Sequence, residues 1–137
     1  MRDLSFKEIS KRIGDLNLPY FDLVIGIADG GTVPASLVAY QLGIELKFIK
    51  INYRNVQNNP IYDEPIILSQ ENITNKKVLL VDDVSVSGKT LEAAIKILQG
   101  NSITTLTLKG KADYVLFPEI SECVNWPWKL PPNKQAV

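Results

Sequence analysis

Apolar residues recur near the start of the chain at Leu4, Ile9, Ile13 and Leu16, with charged residues between them. That spacing predicts an amphipathic first helix, with Ser5 placed to cap its start. The run YFDLVIGIA over 20–28 is short, apolar and ends in DGG, which predicts a strand followed by a tight turn. TVPASLVAYQLG predicts a helix that tolerates Pro34 in its first turn and stops at Gly43. IELKFIKINY alternates apolar and polar positions and predicts the next strand. Residues 54–75 are polar, hold two prolines and keep no period, so they predict a long loop, functional or mobile rather than a mere connection. A VLLV strand, a helix through LEAAIKILQG ended by Gly100, and two more strands in SITTLTL and DYVLF complete the pattern. The remaining tail, with four prolines and both tryptophans, is too irregular for another strand–helix unit.

Strands alternating with helices imply right-handed crossovers and a parallel sheet covered on both faces. Ligands of such sheets bind beyond the carboxyl ends of the strands. Asp29 to Gly31, the long loop, and Asp82 to Thr90 all fall at that edge, so the chemistry is expected there.

Composition narrows the chemistry. At 137 residues, 45% apolar and 22% charged, the chain predicts one ordinary globular domain spanning 1–137. Fifteen basic residues balance fifteen acidic ones, so no global field favours nucleic acid or membrane. A single cysteine, Cys123, makes no internal disulfide. The absence of histidine removes Ser-His and Cys-His catalytic pairs and every His-based zinc site. Any metal must then be held by oxygen, which points to Mg²⁺. The first ten residues lack the apolar core of a signal peptide, and no apolar run reaches the roughly 20 residues of a membrane span. The expectation is a cytoplasmic protein.

The segment Val78-Leu79-Leu80-Val81-Asp82-Asp83-Val84-Ser85-Val86-Ser87-Gly88-Lys89-Thr90 concentrates the candidate chemistry. A P-loop needs glycine five positions before its Gly-Lys-Thr, and that position is Asp83. A phospho-acceptor receiver domain opens on its paired acids, and too little chain follows Asp83 to build one. In isolation, an Asp-Asp turn with Ser87 capping a helix accounts for the same residues.

As a whole, the segment resembles the phosphoribosyl pyrophosphate (PRPP) signature of the type I phosphoribosyltransferases. The chain beyond the first helix is similar to the short bacterial xanthine-guanine phosphoribosyltransferases and related archaeal enzymes. The resemblance implies a single-domain α/β fold, a Rossmann-like parallel sheet with a small hood at about 117–137. Two adjacent carboxylates at a strand end accept hydrogen bonds from vicinal ribose hydroxyls and sit near Mg²⁺. It therefore gives Asp82 and Asp83 the ribose and Asp83 the metal. Val86, Ser87, Gly88, Lys89 and Thr90, at a helix start, would hold the 5-phosphate. Asp29, Gly30 and Gly31 stand at the pyrophosphate-binding loop. Tyr53 and Arg54 begin a flexible loop, at about 54–70, that closes over PRPP. Lys109 matches the lysine that reads a 6-oxopurine, and Cys123 and Val124 line the hood over the base.

Taken singly, each piece has a plainer reading. Gly30-Gly31 suits an ordinary turn, Lys109 a solvated strand end, and Trp126 and Trp128 packing anchors for the tail.

Three positions depart from the family pattern. Asp29 stands where many relatives have arginine, and a carboxylate there repels pyrophosphate unless Mg²⁺ bridges them. Val86 replaces an acidic residue and cannot act as a general base. Cys123 replaces the aromatic residue that stacks on the purine. The resemblance thus implies a Mg²⁺-dependent enzyme transferring phosphoribose from PRPP to a nitrogenous base, with a purine expected, as a homodimer or homotetramer. The other reading is a non-catalytic regulator that binds PRPP or a nucleotide. A purely structural subunit is a third.

Overall fold

The computed structural model describes residues 1–52, 66–69 and 72–129. The elements in chain order are β1 (Arg2–Asp3), α1 (Phe6–Asp15), β2 (Leu23–Ala28), α2 (Thr32–Leu42), β3 (Glu45–Asn52) and β4 (Ile66–Ser69). They are followed by β5 (Lys77–Ser85), α3 (Lys89–Ile97), β6 (Ser102–Gly110), β7 (Tyr114–Val115) and β8 (Val124–Asn125). The main sheet has six strands in the order β4-β3-β2-β5-β6-β7. Five of them run parallel, and β4 joins the β3 edge antiparallel.

The sheet is legible in its burial. In β2, Val24 faces one core while Leu23, Ile25 and Ile27 face the other; in β5, Leu79 and Val81 oppose Val78 and Leu80. Strands buried on both faces read as continuous apolar runs, which is why LVIGIA and VLLV show no alternation. Helices α1 and α2 cover the first face, through Ile9, Ile13, Ala35 and Val38. Helix α3 covers the second through Leu91 and Ala94.

The helix ends follow local chemistry. Glu8 N donates to Ser5 Oγ at 3.1 Å, and Ser5 N donates to Glu8 Oε1 at 3.2 Å, so the Ser5 cap is half of a reciprocal capping box. Gly43 closes α2 in the left-handed region at φ 68.

Several elements differ from the pattern-based expectation. β5 does not stop at the acids but carries them inside the strand as far as Ser85, because its pairing with β6 persists to Ser85↔Gly110. β4 lies within the stretch expected to be loop, and only Tyr114–Val115 of DYVLF forms a strand. β1 and β8 pair parallel in a separate two-stranded sheet that fixes the tail to the N-terminus. Arg2 N donates to the Cys123 carbonyl at 3.0 Å, and Asn125 Nδ2 donates to Asp3 Oδ1 at 2.7 Å. Trp126 is buried and stacks on Trp128 at 5.5 Å, the anchoring role expected of the two rings.

Candidate active site

The carboxyl ends of β2 and β5 meet at one edge of the sheet. The two strands pair from Leu23↔Val78 to Gly26↔Val81, so the DGG turn after β2 is delivered beside the acids that continue β5. The contact is close. A Cβ built on Gly30 would lie 2.7 Å from each carboxylate oxygen of Asp83. One built on Gly31 would meet the Val81 carbonyl at 2.6 Å and the Ile27 carbonyl at 2.7 Å. Only glycine fits at either place without movement, so the pair is more than an ordinary turn. The Ala28–Asp29 peptide is cis.

Asp82 and Asp83 occupy different environments. Asp82 is 7% exposed; its Oδ1 accepts from Asp83 N at 2.8 Å, and its register partner on β6 is the fully buried Thr107. Burial, and then the neighbouring Asp83 carboxylate, push its carboxyl up to about 7. Asp83 is more open; its Oδ1 accepts from Val84 N at 2.7 Å, and its Oδ2 lies 3.9 Å from Lys129 Nζ. Burial above all therefore favours the protonated form of Asp82 up to near neutral pH.

Beyond β5, Val86 and Ser87 are exposed, with Val86 at 79%. Gly88 precedes α3 at φ 85, in the left-handed region that favours glycine. Ser87 Oγ accepts from Lys89 N at 3.3 Å. Lys89 is exposed, and Thr90 is half-buried in the first turn.

Lys109 is the register partner of Val84, so it emerges beside the acid strand. Its Nζ donates to the Glu122 carbonyl, next to Cys123 and Val124. Lys109 is thus no free strand-end charge; it ties β6 to the segment expected to form the hood. Cys123 is exposed and Val124 half-buried. Tyr53 and Arg54 lie outside the described residues, as does the hood beyond Lys129.

Two site residues escaped the sequence reading. Lys50 Nζ stands 3.6 Å from Asp29 Oδ1, and Lys129 faces Asp83. The first follows from the register Ala28↔Lys50 and the second from the turn in which Lys129 N donates to the Trp126 carbonyl at 3.1 Å. Neither is visible in local sequence pattern.

The donor set suits magnesium. Among the described residues, no cluster of three or more acidic, Cys or His side chains could cage a metal. One or two carboxylates supplemented by a ligand's own oxygens match the way Mg²⁺ binds. Asp83, with the more accessible carboxylate, would hold it.

A strand-borne acid pair, a small-residue helix start and a glycine pair packed against the acids meet at this edge of the sheet. The chain belongs to the phosphoribosyl transferase domain family, whose model matches residues 5–126. It is 30% identical over 108 residues to the orotate phosphoribosyltransferase of Sulfurisphaera tokodaii, covering 77% of this chain and 52% of that protein. It is 32% identical over 81 residues to the transcriptional regulator GfcR of Methanocella arvoryzae, covering 57% of this chain and 39% of that one. The chain thus spans about half, or less, of the length of these two relatives. A purine phosphoribosyltransferase structure from Pyrococcus horikoshii Ot3 superposes with a TM-score of 0.77 at 27% identity, covering 95% of each chain. The parallel-sheet phosphoribosyltransferase fold is therefore that of this protein.

Proposed function

We propose that the protein is a phosphoribosyltransferase that uses Mg²⁺-PRPP to transfer phosphoribose to a nitrogenous base, a purine, with release of pyrophosphate. The observation that carries this reading is the contact of Gly30 with the Asp83 carboxylate. A single ligand bearing ribose hydroxyls and an anomeric pyrophosphate spans both elements.

In this reading Asp82 and Asp83 accept hydrogen bonds from the ribose hydroxyls, and the amides and hydroxyls of Ser87, Gly88, Lys89 and Thr90 hold the 5-phosphate. Asp83 would hold magnesium, which would supply neutralisation of charge on the leaving group. The bond from the anomeric carbon to the pyrophosphate oxygen breaks, and a bond from that carbon to a base nitrogen forms. The nitrogen's proton leaves to solvent, because Val86 cannot accept it. Positioning and charge neutralisation then supply most of the rate. Lys109, which donates to the Glu122 carbonyl, reads an exocyclic oxygen of the base in this reading. The whole chain acts as one domain in the cytoplasm, as a homodimer or homotetramer. Among the described residues no helix is long and apolar enough to cross a membrane.

The likeness to Pyrococcus purine phosphoribosyltransferase favours a purine. The likeness to GfcR, together with the exposed Val86 where an acid is expected, favours the second reading, a regulator that binds PRPP without turning it over. Pyrophosphate release from Mg²⁺-PRPP, assayed with guanine, xanthine, hypoxanthine, adenine, uracil and orotate, separates them. Release with a purine supports the proposal. Release with orotate or uracil alone overturns the purine assignment, and PRPP binding without release for any base supports the regulator.

A further inference from the structure

Strand β6 buries two threonines on the face of the sheet that α3 covers. Leu106 and Leu108 lie in the core beneath α1 and α2, so by alternation Thr105 and Thr107 point the other way. Their hydroxyls are used differently. Thr105 Oγ1 donates to Asp113 Oδ2 at 3.1 Å and accepts from Asp113 N at 2.8 Å. Thr107 is fully buried, and its hydroxyl has no hydrogen-bond partner among the described residues. A buried hydroxyl in that state costs stability, whereas valine would fill the same space without the cost. The neighbouring strand supplies a reason to keep the hydroxyl. Where β5 pairs with β6, Leu80 stands opposite Thr105 and Asp82 opposite Thr107. Leu80 belongs to the core beneath α3, so Asp82, two residues on, presents its side chain to the same face as Thr107. Adjacent strands lie only about 5 Å apart, so rotation about the Thr107 Cα–Cβ bond brings the hydroxyl within reach of that carboxyl group.

We propose that Thr107 is a positioning residue for Asp82: its hydroxyl donates to the inner side of the carboxylate while the outer side accepts from a ribose hydroxyl. This inference rests on the phosphoribosyltransferase reading above. A carboxylate offers several acceptor sites, and one of those on Asp82 is filled by Asp83 N, which donates to Oδ1 at 2.8 Å. With Asp82 only 7% exposed, further donors on its inner side must come from the protein. Thr107 is in register with the acid, on the same face, and its hydroxyl is uncommitted. Held from behind, the carboxylate keeps one orientation, and the ligand then loses less affinity to ordering it. Thr105 cannot take this part, because its hydroxyl is already committed to Asp113 and its register partner is Leu80.

The test pairs urea unfolding with calorimetric titration of the full chain, with Mg²⁺ present, by PRPP, ribose 5-phosphate and inorganic pyrophosphate. Thr107→Val keeps the branched shape and removes the hydroxyl. It is expected to unfold at a urea concentration no lower than wild type. It should nevertheless bind PRPP and ribose 5-phosphate about tenfold more weakly, the scale of a lost hydrogen bond to a charged group. Pyrophosphate carries no ribose, and its affinity should stay within about twofold. Thr107→Ser keeps the hydroxyl and loses a buried methyl, so it should unfold at lower urea yet bind PRPP within about threefold of wild type. A packing role alone cannot give that crossing of stability and affinity. Unchanged PRPP affinity in the valine variant overturns the inference. So does equal weakening by valine and serine, equal weakening of all three probes, or a valine variant that unfolds at lower urea than wild type. A wild-type chain that does not bind PRPP overturns the phosphoribosyltransferase reading itself, and the inference falls with it.

Discussion

Replacing Asp82 by asparagine is expected to make the protein more stable while damaging its site. The Asp82 carboxyl is 7% exposed and titrates near 7 instead of its ordinary 3.8, because burial and the adjacent Asp83 carboxylate oppose its ionisation. The native state therefore binds more protons than the unfolded chain between roughly pH 4 and 7. Stability falls as pH rises through that window and is level above it. Integrated over the window, the loss is at most about 4 kcal/mol, and the coupling to Asp83 makes a smaller value reasonable. Asparagine resembles the protonated acid. It keeps the oxygen that accepts from Asp83 N and adds an N–H directed at the neighbouring carboxylate. The assay is urea unfolding at pH 5 and pH 8 in EDTA, so that no divalent cation restores the ionised form. Asp82→Asn should exceed wild type by about 1–4 kcal/mol at pH 8 and by much less at pH 5. A variant that is no more stable at pH 8 and follows the same pH slope would show that Asp82 is not the strained acid.

A Cβ at Gly31 meets two backbone carbonyls and one at Gly30 meets only the Asp83 side chain, so Gly31→Ala should lower stability by about 1–3 kcal/mol and Gly30→Ala by less. Titration with PRPP should nevertheless find the Gly30→Ala site impaired; the reverse order of stabilities in urea melts would refute the packing. Arg12 donates to both carboxylate oxygens of Glu119 and to the Leu116 carbonyl, and its guanidinium lies 4.4 Å from the Phe117 ring centroid. The Arg12 hydrogen bond holds Glu119 down to about 2, so the stability it contributes is present above about pH 4.5 and lost as pH falls through about 2. Thermal melts of Glu119→Gln should therefore lie below wild type at pH 7 and converge with it near pH 2; a gap that persists in acid would mean that the ion pair is not its source.

What could be read without a structure was what local pattern encodes. The 3.6-residue spacing in α1, the Ser5 cap, the stop at Gly43 and the two-sided apolar strands each depend on neighbours within a few residues. The acid pair and the Ser-Gly-Lys-Thr loop were legible for the same reason. Elements created by long-range pairing were not. β1 and β8 are two residues each, have no period, and exist because chain ends more than 120 positions apart align. β5 outran its expected end because β6 continues to pair with it past the acids, whose charge had suggested a turn. Lys50 and Lys129 reach the site through register and through a tail turn, so their partners could not be named from sequence. Lys109 showed a related limit. It was singled out from the sequence, but its bond to the Glu122 carbonyl, which fastens the segment expected to form the hood to β6, was not foreseen.

If the β5 acids and the glycine pair packed on them form one receptor for PRPP, Mg²⁺-PRPP titrated into wild type binds measurably. The Asp82→Asn, Asp83→Asn double variant, with its cooperative unfolding retained, then shows no binding. Equal affinity in the two proteins would mean that PRPP is not held by these acids.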